Sequence, residues 1–383
     1  MYGTRDAAPN WYNKFAGHLQ SLGFVCGKAS PCVFYQKRKG LRTLVHGDDY
    51  VTVGPRESLL WLKGKLEKEF KVKSEILSGR TEDKQQIKVL NRIISWTSNG
   101  LEYEADLRHS ELVVQALGLQ TAKAVVTPAI HEDQEQGEGG EQAEELTKEE
   151  VTAYRAITAR INFLSIDRPD LQYAVKECSR YMAAPTRESW KKLKRVGRYL
   201  KNKPRMVFVY PWKEDKGKVQ VYTDSDWAGC KRSIKSTFGG VVLLNGDCIQ
   251  TWSKTQSVIA LSFAEAELYA LVKATGEGLG VESLLQDLGM KVEVEVLADA
   301  SAALGIVARK GLGKVRHLQT NYLWVQDVAA KGRAKYEKAK GADNPADVLT
   351  KPVDAKTLEK HCRQLRLQDR CGRAQLAPEL QQA

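Results

Sequence analysis

Between Val219 and Val272 the apolar and polar positions change rhythm three times, and each rhythm predicts a different element. Val219, Val221 and Thr223 alternate with Gln220, Tyr222 and Asp224, the period-2 pattern of a strand that ends on a carboxylate. Gly239–Leu244 and Cys248–Trp252 are apolar runs around Asn245-Gly246-Asp247, which predicts a hairpin. From Ser262 the spacing becomes helical, with Ser262 as N-cap and Glu265 at the capping-box position. Val292–Leu297 is another β-type run that delivers Asp299 to its carboxyl end. Ser301–Ala308 then reads as a helix, and Ala334–Ala339 as a last strand before a helix carrying Asp347.

The upstream half is more varied. Lys14–Leu22 is helix-like and Cys32–Gln36 is β-like. Leu41–Gly54 holds two β-type runs around Asp48-Asp49, hence a hairpin with paired aspartates at its tip. Leu59, Leu62, Leu66 and Phe70 mark an amphipathic helix over Glu57–Phe70. Val89–Ile94 predicts a strand and Asp106–Leu117 a helix. Residues 131–150 are acidic, rich in Gly and Gln and free of aromatics, so a disordered linker is expected. Helical patterning returns over 151–205. There Trp190, Leu193, Val196, Gly197 and Leu200 share one face; Lys191, Lys192, Lys194, Arg195 and Arg198 share the other. That second face reads either as a solvated surface or as one that tracks phosphates. From about residue 353 the chain reads as a charged, Gln-rich tail with no recognisable role.

Composition narrows the class. A chain of 383 residues with 42% apolar and 28% charged content has room for two or three soluble globular domains. No apolar run approaches a membrane span, and Met1-Tyr2-Gly3-Thr4-Arg5-Asp6 is not a signal peptide. Seven cysteines are scattered and odd in number, without a CxxC pair. They read as reduced thiols of an intracellular protein, cytoplasmic or nuclear. The net charge is +12 although residues 131–150 are acidic, so the remainder is more basic than the total. Such an excess favours polyanions, either nucleic acid or an anionic membrane.

The chemistry suggested by the strand ends is metal-dependent. Several converging acids make a site for a hard divalent cation such as Mg²⁺, which takes oxygen ligands and shares itself with phosphates. Two such ions side by side can activate a water and stabilise the leaving oxygen in phosphodiester hydrolysis.

Four segments carry a resemblance. Thr223-Asp224-Ser225-Asp226-Trp227-Ala228-Gly229, Phe263–Leu271, Ala298–Ala303 and Asn344–Pro352 occur in this order. Together they resemble the ribonuclease H domain of copia-type LTR-retrotransposon Pol polyproteins. The resemblance implies that Asp224, Glu267, Asp299 and Asp347 are the catalytic, metal-holding carboxylates. It also implies two Mg²⁺ ions, with Mn²⁺ able to substitute, and an RNA–DNA hybrid as partner. Glu265 and Glu267 lie two apart on a helix and point to different faces, so only one serves the site. The resemblance selects Glu267 and leaves Glu265 as a cap. Asp226 is read as a solvated strand-end residue. His317 matches the family's histidine and is read as structural, while Gln319 and Leu323 depart from the family pattern.

The N-terminal part resembles the reverse-transcriptase palm of the same class. Asp48 and Asp49 match the acids of its Tyr-x-Asp-Asp hairpin, with His46 in place of the tyrosine. They are read as vestigial polymerase metal positions. Tyr2–Tyr12 resembles the family's Gly-Leu-Lys-Gln-Ala-Pro-Arg-x-Trp-Tyr segment, departing at Asp6 and Asn10. The family's fingers and first metal-binding aspartate would precede Met1, so no polymerisation is expected.

The expected organisation is as follows: a truncated palm/thumb-like segment over 1–130, an acidic linker over 131–150 and a helical connection over 151–215. A ribonuclease H-like domain over 216–355 and a tail over 356–383 complete it. The fold class is α/β, with a mixed five-stranded sheet flanked by helices after an α+β segment. The expected activity is metal-dependent cleavage of RNA in a hybrid, without a membrane partner. The competing expectation is a catalytically inactive transposon remnant, at most a basic nucleic-acid-binding module.

Overall fold

The computed structural model describes residues 5–131, 145–230, 232–313 and 315–380; most of the acidic linker expected over 131–150 lies outside them. In the N-terminal unit, α1 (Ala7–Ser21) and α2 (Arg56–Glu69) accompany an antiparallel sheet. Its strands β1 (Val25–Cys26), β2 (Val33–Gln36), β3 (Leu41–His46) and β4 (Asp49–Val53) pair in sequence order. Phe15, Leu19, Phe34, Leu41 and Leu62 form its core.

The next strands belong elsewhere. β5 (Gln86–Val89) and β6 (Arg92–Thr97) replace the single strand expected over Val89–Ile94. Leu90 and Asn91 take positive φ, 47° and 62°, and turn the chain back on itself. After β7 (Gly100–Glu104) come α3 (Arg108–Ala116), α4 (Lys148–Ser165), α5 (Pro169–Ser179), α6 (Arg187–Asn202) and β8 (Met206–Pro211). β8 pairs with β7, so 86–104 shares a sheet with 206–211 rather than with the N-terminal unit.

The third unit holds the expected mixed sheet. β9 (Lys218–Ser225), β10 (Thr237–Leu244) and β11 (Asp247–Thr255) are antiparallel, joined between β10 and β11 by Asn245 and Gly246, both at positive φ. The long helix α7 (Phe263–Asp287) leads to β12 (Glu293–Ala298), α8 (Ser301–Ala308), α9 (Trp324–Ala330) and β13 (Lys335–Lys338). The order across the sheet is β11-β10-β9-β12-β13, with β12 parallel to both β9 and β13. α7 packs on β9, β10 and β12, burying Leu268 and Leu271 against Val221 and Val296. α5 packs on β11.

The stretch expected to be a tail is instead structural. α10 (Ala355–Gln364) buries Leu358 and Cys362, and β14 (Leu367–Asp369) pairs with β8 to give the sheet β14-β8-β7-β6-β5. Charge and glutamine content hid it, because only one apolar residue per helical turn is needed on the buried side.

Three polar devices tie distant parts of the chain together. Arg168 forks onto Asp170 through Nε (2.9 Å) and Nη2 (2.7 Å), both side chains buried, and also donates to the carbonyls of Lys203 and Pro204. Tyr199 completes the acid's shell at 2.9 Å. Asp287, at the end of α7, accepts the backbone N–H groups of Lys28 (2.9 Å), Ala29 (2.7 Å) and Ser30 (3.1 Å), clasping the N-terminal unit. On α6, Arg195 and Arg198 of that basic face, with Lys201, bond Thr127, Lys123 and Ala122 and hold the 122–127 strap in place. Among the described residues all seven cysteines are free, and no helix is long and apolar enough to cross a membrane.

Asp170→Ala leaves a buried guanidinium without its carboxylate. Chemical denaturation should show a loss of roughly 3–5 kcal/mol, the usual consequence of breaking one side of a buried pair. A loss under about 1 kcal/mol, the scale of an exposed pair, would contradict that account.

Candidate active site

The site grows from the register of two parallel strands. Leu297 of β12 is paired with Tyr222 of β9, so Asp299 and Asp224 lie side by side two residues further on. Both reach the carboxyl end of the sheet. Glu267 joins them from the first turns of α7, and carboxylate oxygens of Asp224, Glu267 and Asp299 come within 4.8 Å of one another. Ser262 starts that helix as the sequence predicts, its hydroxyl accepting the N–H of Glu265 at 3.3 Å.

Asp347 stands beside this group on a short 3₁₀ turn, Pro345–Leu349, rather than on the helix expected there. Asn344 fixes the turn. Its side chain donates to the Thr223 carbonyl at 2.9 Å and accepts the Ala346 N–H at 3.1 Å. Gly239, opposite Asp224 on β10, makes the approach possible, since a Cβ there would lie 2.6 Å from the Cβ of Leu349. Lys351 Nζ is 3.1 Å from Asp347 Oδ1 and 3.9 Å from Asp224 Oδ2, and the Thr350 hydroxyl donates to Asp224 Oδ2.

Crowded acids in a buried place resist ionisation. Burial, then Asp224 and Asp299, push Glu267 up to about 9. Burial and Asp224 raise Asp299, and the same two causes raise Asp347 to about 6 against the pull of Lys351. Burial disfavours the Lys351 ammonium, but Asp224 and Asp347 outweigh it and raise its pKa. Glu267 Oε1 accepts the Ser225 N–H at 3.1 Å, whereas Oε2 is buried without a hydrogen-bond partner. An orphaned buried oxygen among hard oxygen donors fits a divalent cation held by Asp224, Glu267 and Asp299, with Asp347 adjacent.

The remaining predicted residues fall elsewhere. Glu265 is buried on another face of α7, where it accepts the Leu261 N–H (2.9 Å) and the Tyr269 hydroxyl and meets His317 Nε2 at 2.8 Å. His317 therefore braces Glu265. Asp226 is half-buried rather than solvated and accepts the Thr237 N–H at 2.6 Å. Asp48 and Asp49 are exposed where β3 turns into β4, with His46 paired to Asp49. The one metal-capable group of three found among the described residues is Asp224, Glu267 and Asp299, so no third such ligand joins Asp48 and Asp49. Sequence reasoning passes over Thr350 and Lys351, although Lys351 follows Asp347 by four positions, a spacing at which opposite charges pair on a helical turn.

No protein-family model matches the chain. It is 28% identical over 375 residues to the retrovirus-related Pol polyprotein from transposon TNT 1-94 of Nicotiana tabacum, covering 95% of this chain and 27% of that protein. The corresponding polyprotein from transposon RE2 of Arabidopsis thaliana is 28% identical over 371 residues, covering 95% and 24%. This chain is a homologue of copia-type transposon Pol polyproteins. It spans about a quarter of the length of these Pol relatives. Among solved structures, the foamy viral protease-reverse transcriptase in complex with dsDNA is similar at 12% identity and a TM-score of 0.46, covering 89% of this chain and 60% of that one.

The buried acid sets a pH dependence. Glu267 has an ordinary value of 4.5 and a folded value of about 9, so the folded state holds its proton more tightly than the unfolded state. Its contribution is full below the unfolded value and is lost as pH rises through the window between the two. In EDTA, wild-type Tm should fall more steeply over that window than the Tm of Glu267→Gln. Parallel curves would refute the assignment.

Proposed function

We propose that this chain hydrolyses the RNA strand of RNA–DNA hybrids, using Mg²⁺ or Mn²⁺ held by Asp224, Glu267, Asp299 and Asp347. The observation that carries the reading is the convergence of the first three carboxylates within 4.8 Å at the carboxyl ends of β9 and β12. Two ions bound there would supply an activated water and charge stabilisation for the departing 3′ oxygen. The protein's own part is positioning. The Ser225 N–H aims Glu267, the Thr350 hydroxyl aims Asp224, and Asn344 ties the Asp347 turn to β9. An excess of Lys and Arg, +12 overall, would meet the phosphates. Preference for RNA would rest on contacts to 2′-hydroxyls.

The test uses the full chain with a labelled hybrid. Cutting should appear with Mg²⁺ or Mn²⁺, stop in EDTA, and spare single-stranded RNA and duplex DNA. Asp224→Asn removes one anionic oxygen charge at nearly constant volume. Outer partners of metal ligands are worth roughly ten- to a hundredfold, so this ligand should be worth at least about a hundredfold in rate. Hybrid binding, which rests on phosphate contacts, should change little. A folded chain that binds hybrid and never cuts it would be a binding module instead; equal cutting by Asp224→Asn would remove the carboxylate assignment.

A further inference from the structure

Lys351 is a cation that faces two of the acids, Asp347 and Asp224. Its ammonium lies 3.1 Å from Asp347 and 3.9 Å from Asp224, within a group whose other members, Glu267 and Asp299, are also anionic when ionised. It lies within ion-pair reach of Asp347 and of one member of the converged group, Asp224. A cation shared by Asp224 and Asp347 would need the same oxygens. Two positive charges cannot hold them together without repulsion.

The side chain has somewhere to go. Lys351 is about half exposed, at 46%, and lines a cleft of about 250 Å³ beside the acids. Asp226 and Glu177 line the same cleft together with Lys192 and Arg195, so an ammonium leaving Asp224 and Asp347 enters a polar space of mixed charge. The backbone need not move, because the 3₁₀ turn before Lys351 is held by Asn344. Lysine's flexible four-carbon stem suits such an exchange, whereas arginine's planar fork would bind the two acids more rigidly.

We propose that Lys351 is a tethered counter-ion that stabilises the cation-free acid cluster and competes with the divalent cation for Asp224 and Asp347. The inference rests on the metal-site reading above and adds a residue that tunes its affinity. Because one pair near the surface is worth up to about 1 kcal/mol, removing the competitor should tighten cation binding by up to about fivefold.

The experiment measures Mn²⁺ binding to the full chain by the loss of the free-ion EPR signal, for wild type, Lys351→Met and Lys351→Arg. Lys351→Met should bind Mn²⁺ more tightly, by up to about fivefold, and, in EDTA, melt at a lower temperature than wild type. Lys351→Arg, whose fork holds the two acids more rigidly, should bind Mn²⁺ more weakly than wild type. Unchanged or weaker binding by Lys351→Met, or unchanged or tighter binding by Lys351→Arg, overturns the proposal. Should Lys351→Met not fold, the arginine variant alone decides it: weaker binding supports competition, and binding as tight as wild type or tighter overturns it. A wild type that takes up no Mn²⁺ overturns the metal-site reading and this inference together, whereas wild-type uptake with equal uptake by Lys351→Met sinks this inference alone.

Discussion

Like charges brought together out of water set the terms for this molecule. Asp224 and Glu267 are buried and Asp299 and Asp347 partly so, all at one end of one sheet. Nothing about strand pairing or helix packing requires acids there, and their mutual repulsion works against the fold. The surroundings answer it piece by piece, with a backbone N–H on Glu267, a hydroxyl on Asp224 and an ammonium between Asp224 and Asp347. The N–H comes from Ser225 at the end of β9, and the hydroxyl and ammonium from Thr350 and Lys351 just after the turn that carries Asp347. The acid cluster therefore makes β9, α7, β12 and the Asn344 turn interdependent.

The same interdependence explains the glycine at position 239. A strand that pairs with β9 would ordinarily carry a side chain opposite Asp224, where Leu349 now packs. Leaving that place empty lets the 3₁₀ turn lie flat on the sheet and bring Asp347 alongside Asp224. Conformational freedom is not the issue at this glycine; space is.

Much of the central unit was legible because its signals are local. Alternation names β9, Asn245-Gly246 names the hairpin, and Ser262 names the start of α7. The parallel register then converts a sequence order into adjacency of Asp224 and Asp299. What escaped was non-local or small. No periodicity says that β7 will pair with β8 a hundred residues later, so 86–104 was grouped with the wrong neighbours. The two-residue turn at Leu90-Asn91 has only one residue that favours a positive φ, and the run around it reads as continuous. Asp226 looked like a surface acid, and only the folded contacts reveal that it accepts the Thr237 N–H.

The last strand carries a consequence for how the molecule comes into being. β14 closes the sheet whose first strand is β5, and Arg370 reaches back to Glu102 across 268 positions. During synthesis, β5 to β8 wait beside the ribosome with β8 as an open edge until residue 369 has emerged. Long-range pairings of that kind form late, and an unpaired edge invites association in the meantime. The N-terminal unit, with its neighbouring strands and its own core, can settle long before. Assembly of this chain should thus run from both sides towards the middle sheet, with its short closing strand as the final piece.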